Sequence, residues 1–254
     1  MKLVIKIGTS TLTHKTGHLN IRHFEHLCKV ISDLKNAGHE IVLVSSGAIG
    51  MGVGKLGLKS KPTDIETKQA TAAIGQCELM YTYDKLFSEY NHNIGQILIT
   101  SPDIEDEKRR HNFENTLFKL LELGVIPIIN ENDTVSTDEI VIGDNDTLSA
   151  VVAVCIKADM LILLSDIDGL YTADPRKDNN AEIISVVKEI TPEIEKLGGN
   201  PGSVLGTGGM VTKISAAKIA TKAGTKMVIA NGSDPEILYD ILEGKNVGTI
   251  FESR

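Results

Sequence analysis

Short, nearly continuous apolar runs, separated by segments with a helical spacing, constrain the fold of this 254-residue chain most strongly. Runs of this kind are typical of strands that are buried on both faces. They span residues 3–5, 41–44, 96–99, 125–129, 160–164 and 226–230. Between the first two runs, Phe24, Leu27 and Ile31 lie on one helical face, with Asn20 as the expected N-cap and Gly38 as the expected end. The alternation predicts an α/β fold in which helices cover both faces of a mostly parallel open sheet.

Small polar residues follow four of the predicted strands. They occupy residues 8–10, 45–48, 130–133 and 165–169. Each loop alone is also typical of a capped turn between a strand and a helix. In open α/β sheets, however, ligands bind beyond the carboxyl ends of the strands. We therefore expect the four loops to converge on one ligand-binding crevice.

Two glycine-containing segments are candidates for holding a phosphate chain. One is Lys6 with Gly8, and the other is the glycine-rich turn at residues 206–213, which ends in Lys213 at the start of a helix. Without side chains, such turns let backbone N–H groups approach phosphate oxygens. No segment matches the P-loop pattern. Residues 52–57 match the dinucleotide-binding pattern as text, but no strand directly precedes them, so we interpret the match as accidental.

A carboxylate between two lysines is the predicted catalytic arrangement. Lys6 lies within an apolar run, where a charge is costly unless it is paired or functional; the alternative is a strand-end lysine in solvent. Lys6 and Lys213 would repel each other beside a phosphoryl group, and Asp146 could hold both in place. The alternative for residues 143–146 is a helix N-cap, which is compatible with catalysis.

Three further polar residues are predicted to bind the acceptor substrate. Asp133 supplies a partner for an ammonium group, while Asn145 and Ser46 supply donors for a carboxylate. Together, the carboxylates, the amide, the glycine-rich loop and the lysines indicate a kinase that acts on a small, charged substrate. No calcium loop is implied, because the EF-hand spacing and its closing glutamate are absent, and no residue is predicted to be a metal ligand.

The amino-acid composition restricts the class of binding partner and the cellular compartment that we expect. The formal net charge of −8 argues against nucleic acid or an acidic membrane as the main partner. No apolar run reaches the length of a membrane span, and the N-terminus does not resemble a signal peptide, so we expect a cytoplasmic protein. Cys28, Cys77 and Cys155 are odd in number and widely spaced, which indicates core thiols in a reducing compartment.

The chain resembles the amino acid kinase family along its whole length. The resemblance rests on six ordered segments: residues 5–10 (IKIGTS), 45–49 (SSGAI), 129–133 (INEND), 143–146 (GDND), 169–175 (GLYTADP) and 206–213 (GTGGMVTK). It implies a three-layer αβα sandwich formed by a single domain over residues 1–254. It also implies that the amino acid binds toward the N-terminal half and ATP toward the C-terminal half. Many family members append a C-terminal PUA domain, which we do not expect here.

The resemblance also implies roles for individual residues. Lys6, Asp146 and Lys213 would serve phosphoryl transfer, and Ser46, Asp133 and Asn145 would bind glutamate. The residues expected to bind ATP are Lys6, Gly8, Ser165, Asp166, Thr207, Gly208, Gly209, Met210, Val211, Thr212 and Lys213.

The implied reaction is ATP-dependent phosphorylation of the glutamate γ-carboxylate, the first step of proline biosynthesis. Mg²⁺ would be held mainly by the ATP phosphates, proline would act as a feedback inhibitor, and the protein would form a homo-oligomer. Two alternatives stay open. The chain could be another family member, acting on carbamate, acetylglutamate or uridylate, or a non-catalytic sensor of nucleotides or amino acids on the same fold.

Overall fold

A computed structural model describes residues 1–14, 18–136, 145–175, 178, 180–199 and 209–253. Within these residues the strands are β1 (Lys2–Ile7), β2 (Glu40–Ser45), β3 (Ile94–Ile99), β4 (Ile126–Glu131), β5 (Met160–Ser165), β6 (Val186–Val187), β7 (Lys226–Asn231) and β8 (Thr249–Phe251). The helices are α1 (Thr9–Leu12), α2 (Ile21–Asn36), α3 (Ala48–Leu56), α4 (Ile65–Ser88), α5 (Ser101–Glu105), α6 (Glu107–Glu122), α7 (Asn145–Cys155), α8 (Pro192–Leu197), α9 (Met210–Lys222) and α10 (Ile237–Leu242).

The chain divides into two compact units. The N-terminal unit comprises Ile7–Gly143, and the C-terminal unit comprises Met1–Lys6 together with Asp144–Arg254. In the N-terminal unit the strand order is β3-β4-β2, and β4 pairs in parallel with both neighbours. In the C-terminal unit the order is β1-β5-β7-β8-β6; β5 and β7 are parallel, whereas β7 and β8 are antiparallel. These pairings confirm the predicted α/β class with mostly parallel strands.

Burial of the strands agrees with the apolar runs except in β3. Strands β1, β2, β4, β5 and β7 are buried over nearly their whole length. Strand β3 was predicted to be buried on both faces, and that is wrong: it is half-exposed and Gln96 is exposed, because β3 is the outer strand of its unit. Strands β6 and β8 were not predicted, because they are too short to show a recognisable hydrophobic pattern.

The second helix shows how local sequence sets the element boundaries. Asn20 caps α2 as predicted, since its side chain accepts a hydrogen bond from the backbone N–H of His23. Gly38 ends the pattern with φ +94°, a conformation that side-chain-bearing residues rarely adopt. The cysteines follow the prediction only in part: Cys28 is buried, but Cys77 is exposed on α4. No helix in the described part of the chain is both long and apolar enough to cross a membrane.

Helix packing accounts for Gly52, the first glycine of the text match at residues 52–57. Gly52 lies inside α3, where a Cβ atom would come 2.0 Å from the backbone oxygen of Thr71 on α4. Gly75 of α4 makes the reciprocal approach, since a Cβ there would lie 1.7 Å from the backbone oxygen of Ala48. Both glycines are therefore needed for the backbones of α3 and α4 to touch.

We expect Gly52→Ala to destabilise the protein by about 1 to 3 kcal/mol or more, because the methyl group meets backbone rather than a flexible side chain. Gly50→Ala is a matched control on the same helix. A Cβ at Gly50 would lie 3.4 Å from the methyl group of Thr9, which is ordinary contact. Urea unfolding midpoints measure the difference. Equal midpoints for the two variants would contradict the packing explanation.

Candidate active site

A buried carboxylate between two buried lysines lies at the centre of the C-terminal unit's candidate site. The Lys6 Nζ is 2.6 Å from the Asp146 Oδ1, and the Lys213 Nζ is 3.0 Å from the Asp146 Oδ2. Asp146 has no exposed surface, and Lys6 and Lys213 are 7% and 4% exposed. The structure thus brings together the three residues for which phosphoryl transfer was predicted.

Three different elements position these side chains. Lys6 is the next-to-last residue of β1, Asp146 lies in the first turn of α7, and Lys213 lies in the first turn of α9. The N-terminus of α7 carries a partial positive charge that favours the Asp146 carboxylate. Two buried lysine ammonium groups meet at this carboxylate, and such a concentration of lysine charge suits an anionic ligand.

The first turn of α9 adds a hydroxyl group to this cluster. The Thr212 Oγ1 lies 3.0 Å from the Asp146 Oδ2 and 2.7 Å from the carbonyl oxygen of Gly209. Gly209 is the N-cap residue of α9, and Met210 and Val211 begin the helix. Backbone N–H groups at a helix N-terminus can receive phosphate oxygens. Thr207 and Gly208, which were also predicted to bind ATP, lie outside the described residues, as do Gly143 and Asp144.

The loop after β5 carries two more of the predicted ATP-binding residues. Ser165 ends the strand, and its carbonyl oxygen accepts a hydrogen bond of 2.8 Å from the Gly232 N–H. Asp166 follows and is exposed to solvent. Further along, the Asp168 carboxylate accepts hydrogen bonds from the Asn231 side-chain amide at 2.7 Å and the Tyr171 hydroxyl at 3.0 Å. The carboxyl ends of β5 and β7 are therefore tied together.

In the N-terminal unit, two of the predicted acceptor-binding residues follow neighbouring strands. Ser46 follows β2 and Asp133 follows β4, and the two strands pair in parallel with Val44 opposite Ile129. Both residues consequently lie at the same edge of the unit's sheet. Gly47, next to Ser46, has φ +101° and leads into α3. Gly8 also belongs to this unit, as the N-cap residue of α1. Asn145, the third predicted residue, opens α7 in the other unit.

Asp133 has an unusual electrostatic environment. Burial and, to a smaller extent, the nearby Glu131 carboxylate together raise its pKa to about 6, and the positive charge of Lys61 opposes both effects. A carboxyl group with a raised pKa favours a cationic ligand, because a positive charge beside it stabilises the ionised form. This property fits a partner for an ammonium group.

Helix α4 fixes the ends of both strands through buried hydrogen bonds that the sequence motifs did not reveal. Its Tyr83 hydroxyl lies 3.0 Å from the Ser45 Oγ, and its Gln76 Oε1 accepts a hydrogen bond of 2.9 Å from the Asn130 Nδ2. The Asn130 Oδ1 in turn accepts from the backbone N–H of Glu131. Gln76 and Tyr83 are distant in sequence from every polar loop, so only the fold shows their contacts with the strand ends.

Comparison with known proteins identifies the family of this chain. The sequence model of the amino acid kinase family matches residues 1–231. The glutamate 5-kinase of Clostridium perfringens strain 13 is 54% identical over 257 aligned residues, which cover 100% of this chain and 96% of that protein. The glutamate 5-kinase of Clostridium tetani strain Massachusetts is 57% identical over 251 residues, covering 99% of this chain and 94% of that protein.

The fold also matches a solved structure. Carbamate kinase from Giardia lamblia, bound to AMP-PNP, superposes with a TM-score of 0.70 at 18% identity, covering 100% of this chain and 98% of that one. Similarity at this level of identity concerns the fold, and it confirms the predicted three-layer αβα architecture. With the family match and the relatives above, it shows that the chain belongs to the amino acid kinase family.

Proposed function

We propose that this protein transfers the γ-phosphoryl group of ATP to the side-chain carboxylate of L-glutamate, yielding L-glutamyl 5-phosphate and ADP. The observation that carries the proposal is the buried cluster of Lys6, Asp146 and Lys213. The two lysine ammonium groups can neutralise the negative charge on the oxygens of the transferring phosphoryl group. The choice of glutamate rests on the glutamate 5-kinases that this chain matches at 54% and 57% identity.

The chemical step needs little from the protein beyond positioning and charge. A γ-carboxylate oxygen of glutamate attacks the γ-phosphorus of ATP, a new oxygen–phosphorus bond forms, and the bond to the β-phosphate oxygen breaks so that ADP leaves. A glutamate carboxyl group has an unperturbed pKa of about 4.3 and is already ionised at neutral pH, so no general base is required. Lys6 and Lys213 stabilise the transition state, while Asp146 keeps them from separating.

We assign binding of the acceptor, glutamate, to residues that follow β2 and β4 and to the start of α7. Asp133 pairs with the glutamate α-ammonium, and Ser46 and Asn145 donate to the α-carboxylate. Proline carries the same two charged groups, so we extend the proposal to proline as a feedback inhibitor that occupies these residues in place of glutamate. The step would open proline biosynthesis in the cytoplasm, with the protein acting as a homo-oligomer.

ATP is assigned to Gly8, Ser165, Asp166 and the segment from Thr207 to Lys213, in which the Thr212 hydroxyl contacts Asp146 and Gly209 rather than the nucleotide. Mg²⁺ supplies charge neutralisation on the β- and γ-phosphates when it is bound. Among the described residues, no three His, Cys, Asp or Glu side chains are grouped as metal ligands. We propose that Mg²⁺ would be held mainly through phosphate oxygens and water, because this small ion keeps much of its hydration shell.

Other acceptors are the competing explanation, since the lysine cluster by itself does not discriminate between them. Carbamate, acetylglutamate and uridylate kinases would use the same phosphoryl-transfer chemistry. A non-catalytic sensor is the second alternative, and the buried ion pairs argue against it, because holding two lysines on one buried carboxylate serves phosphoryl transfer rather than simple recognition.

We expect the purified protein to consume ATP much faster with L-glutamate than with N-acetylglutamate, aspartate, carbamate or UMP. Acetylation removes the ammonium group and would leave the Asp133 carboxylate half-buried without its ligand partner. ADP release with each acceptor at equal concentration measures the preference. Equal or faster turnover with one of the other acceptors would contradict the assignment to glutamate, and no turnover with any acceptor would favour the sensor.

The raised pKa of Asp133 predicts a specific pH dependence. As pH falls through about 6, the free carboxylate becomes protonated and loses its attraction for the ammonium group. We therefore expect kcat/KM for glutamate to fall below about pH 6, whereas kcat at saturating glutamate lacks this inflection because the bound ammonium keeps Asp133 ionised.

Two neighbouring charges provide the controls for that pH profile. Lys61→Met removes a charge that lowers the Asp133 pKa, so the inflection should move to higher pH; Glu131→Gln should move it to lower pH. Initial rates over a range of pH in constant-ionic-strength buffers measure the shifts. An inflection that neither variant moves would assign the titration to another group.

A further inference from the structure

Thr212 makes contacts that a purely nucleotide-binding residue would not need. Its Oγ1 lies 3.0 Å from the Asp146 Oδ2, the same oxygen that accepts from the Lys213 Nζ. Its backbone N–H donates to the carbonyl oxygen of Gly209 at 3.2 Å. Both hydrogen-bond donors of Thr212 are therefore directed at protein acceptors rather than toward a ligand.

The hydroxyl group faces two acceptors with a single proton. The Asp146 carboxylate and the Gly209 carbonyl can only accept, and the hydroxyl lies 3.0 Å from the first and 2.7 Å from the second. Donation to Gly209 is the local bond that threonine often makes to the preceding helical turn. Donation to Asp146 spans a longer distance, but it is assisted by the negative charge of the carboxylate. An ionised Asp146 therefore favours the hydroxyl orientation that points at it.

The consequence concerns the geometry of the ion pairs. The Asp146 Oδ1 faces Lys6 at 2.6 Å, while its Oδ2 faces both Lys213 and Thr212 at 3.0 Å. Lysine side chains are long and flexible, so they constrain rotation of a carboxylate about its χ2 torsion only weakly. The Thr212 hydroxyl is carried on the short side chain of a helical residue, so it adds a rigid third contact. That contact keeps one carboxylate oxygen directed at each lysine.

We propose that Thr212 is a positioning residue for phosphoryl transfer, acting through Asp146 rather than on the nucleotide. The inference rests on the proposed kinase function and deepens it. Thr212 orients the carboxylate, the carboxylate orients Lys6 and Lys213, and the lysines meet the phosphoryl group. Loss of the hydroxyl should consequently lower kcat while leaving ATP affinity nearly unchanged.

The test compares Thr212→Val, which keeps the shape but removes the hydroxyl, with Thr212→Ser, which keeps the hydroxyl. We expect the valine variant to lose about tenfold to a hundredfold in kcat, the range for loss of a hydrogen bond to a charged group, with KM for ATP within about twofold of the wild type. The serine variant should retain kcat within about threefold.

Two results would overturn the proposal. One is a valine variant with weaker ATP binding by calorimetry and unchanged kcat, which would assign the hydroxyl to the nucleotide. The other is a valine variant indistinguishable from the wild type in kcat and ATP binding. The kinetic comparison can use whichever acceptor the wild type phosphorylates, so failure of the glutamate assignment stays distinguishable from failure of this one.

A measurement without turnover keeps the test independent of catalysis. Lys6 and Lys213 are nearly fully buried, so their ammonium protons should exchange slowly enough for observation by ¹⁵N NMR in the ligand-free protein. We expect these protons to exchange faster in the valine variant and at the wild-type rate in the serine variant. Unchanged exchange in both variants would contradict a role in holding the ion pairs.

Discussion

The candidate site depends on one interaction, the burial of the Asp146 carboxylate between two lysines. Asp146 is fully buried, and an isolated carboxylate in that position would be strongly destabilising. The ion pairs to Lys6 and Lys213 compensate for the lost hydration, and they place a strand end and a helix start around one small volume. The same pairs stop the two lysines from repelling each other out of position. The same charged groups therefore serve the structure and the proposed chemistry. They hold this part of the protein together, and the lysines among them would contact a phosphoryl group.

Much of the fold followed from the sequence because its strands are buried apolar runs and its helices have clear ends. The capping of α2 by Asn20 and the parallel pairing of β5 with β7 are examples. The strand predictions failed where a strand is partly exposed or is too short to show an apolar run. Strand β3 has an apolar sequence but lies at the edge of its unit, and a three-residue strand such as β8 has no period to detect.

Site residues could be predicted where their own sequence context is unusual. Lys6 was conspicuous as a charge within an apolar run, and the structure shows it in contact with Asp146. The supporting contacts were not predictable in the same way. Gln76 and Tyr83 look like ordinary helix residues, and only the position of α4 beside β2 and β4 gives them partners at the strand ends. The role of Gly52 was hidden for a similar reason, because close packing of two helices leaves no motif in either one.

The central claim is that Asp146 and the lysines act as one unit in phosphoryl transfer, and a double-mutant cycle tests it most directly. We would measure kcat for the wild type, Asp146→Asn, Lys213→Met and the double variant, after circular dichroism shows that each is folded. Each single change should lower kcat by on the order of a hundredfold or more. If the residues act as a unit, the double variant should lose little more than the worse single variant. A double variant whose loss equals the product of the two single losses would show that Asp146 and Lys213 act independently, and it would contradict the account.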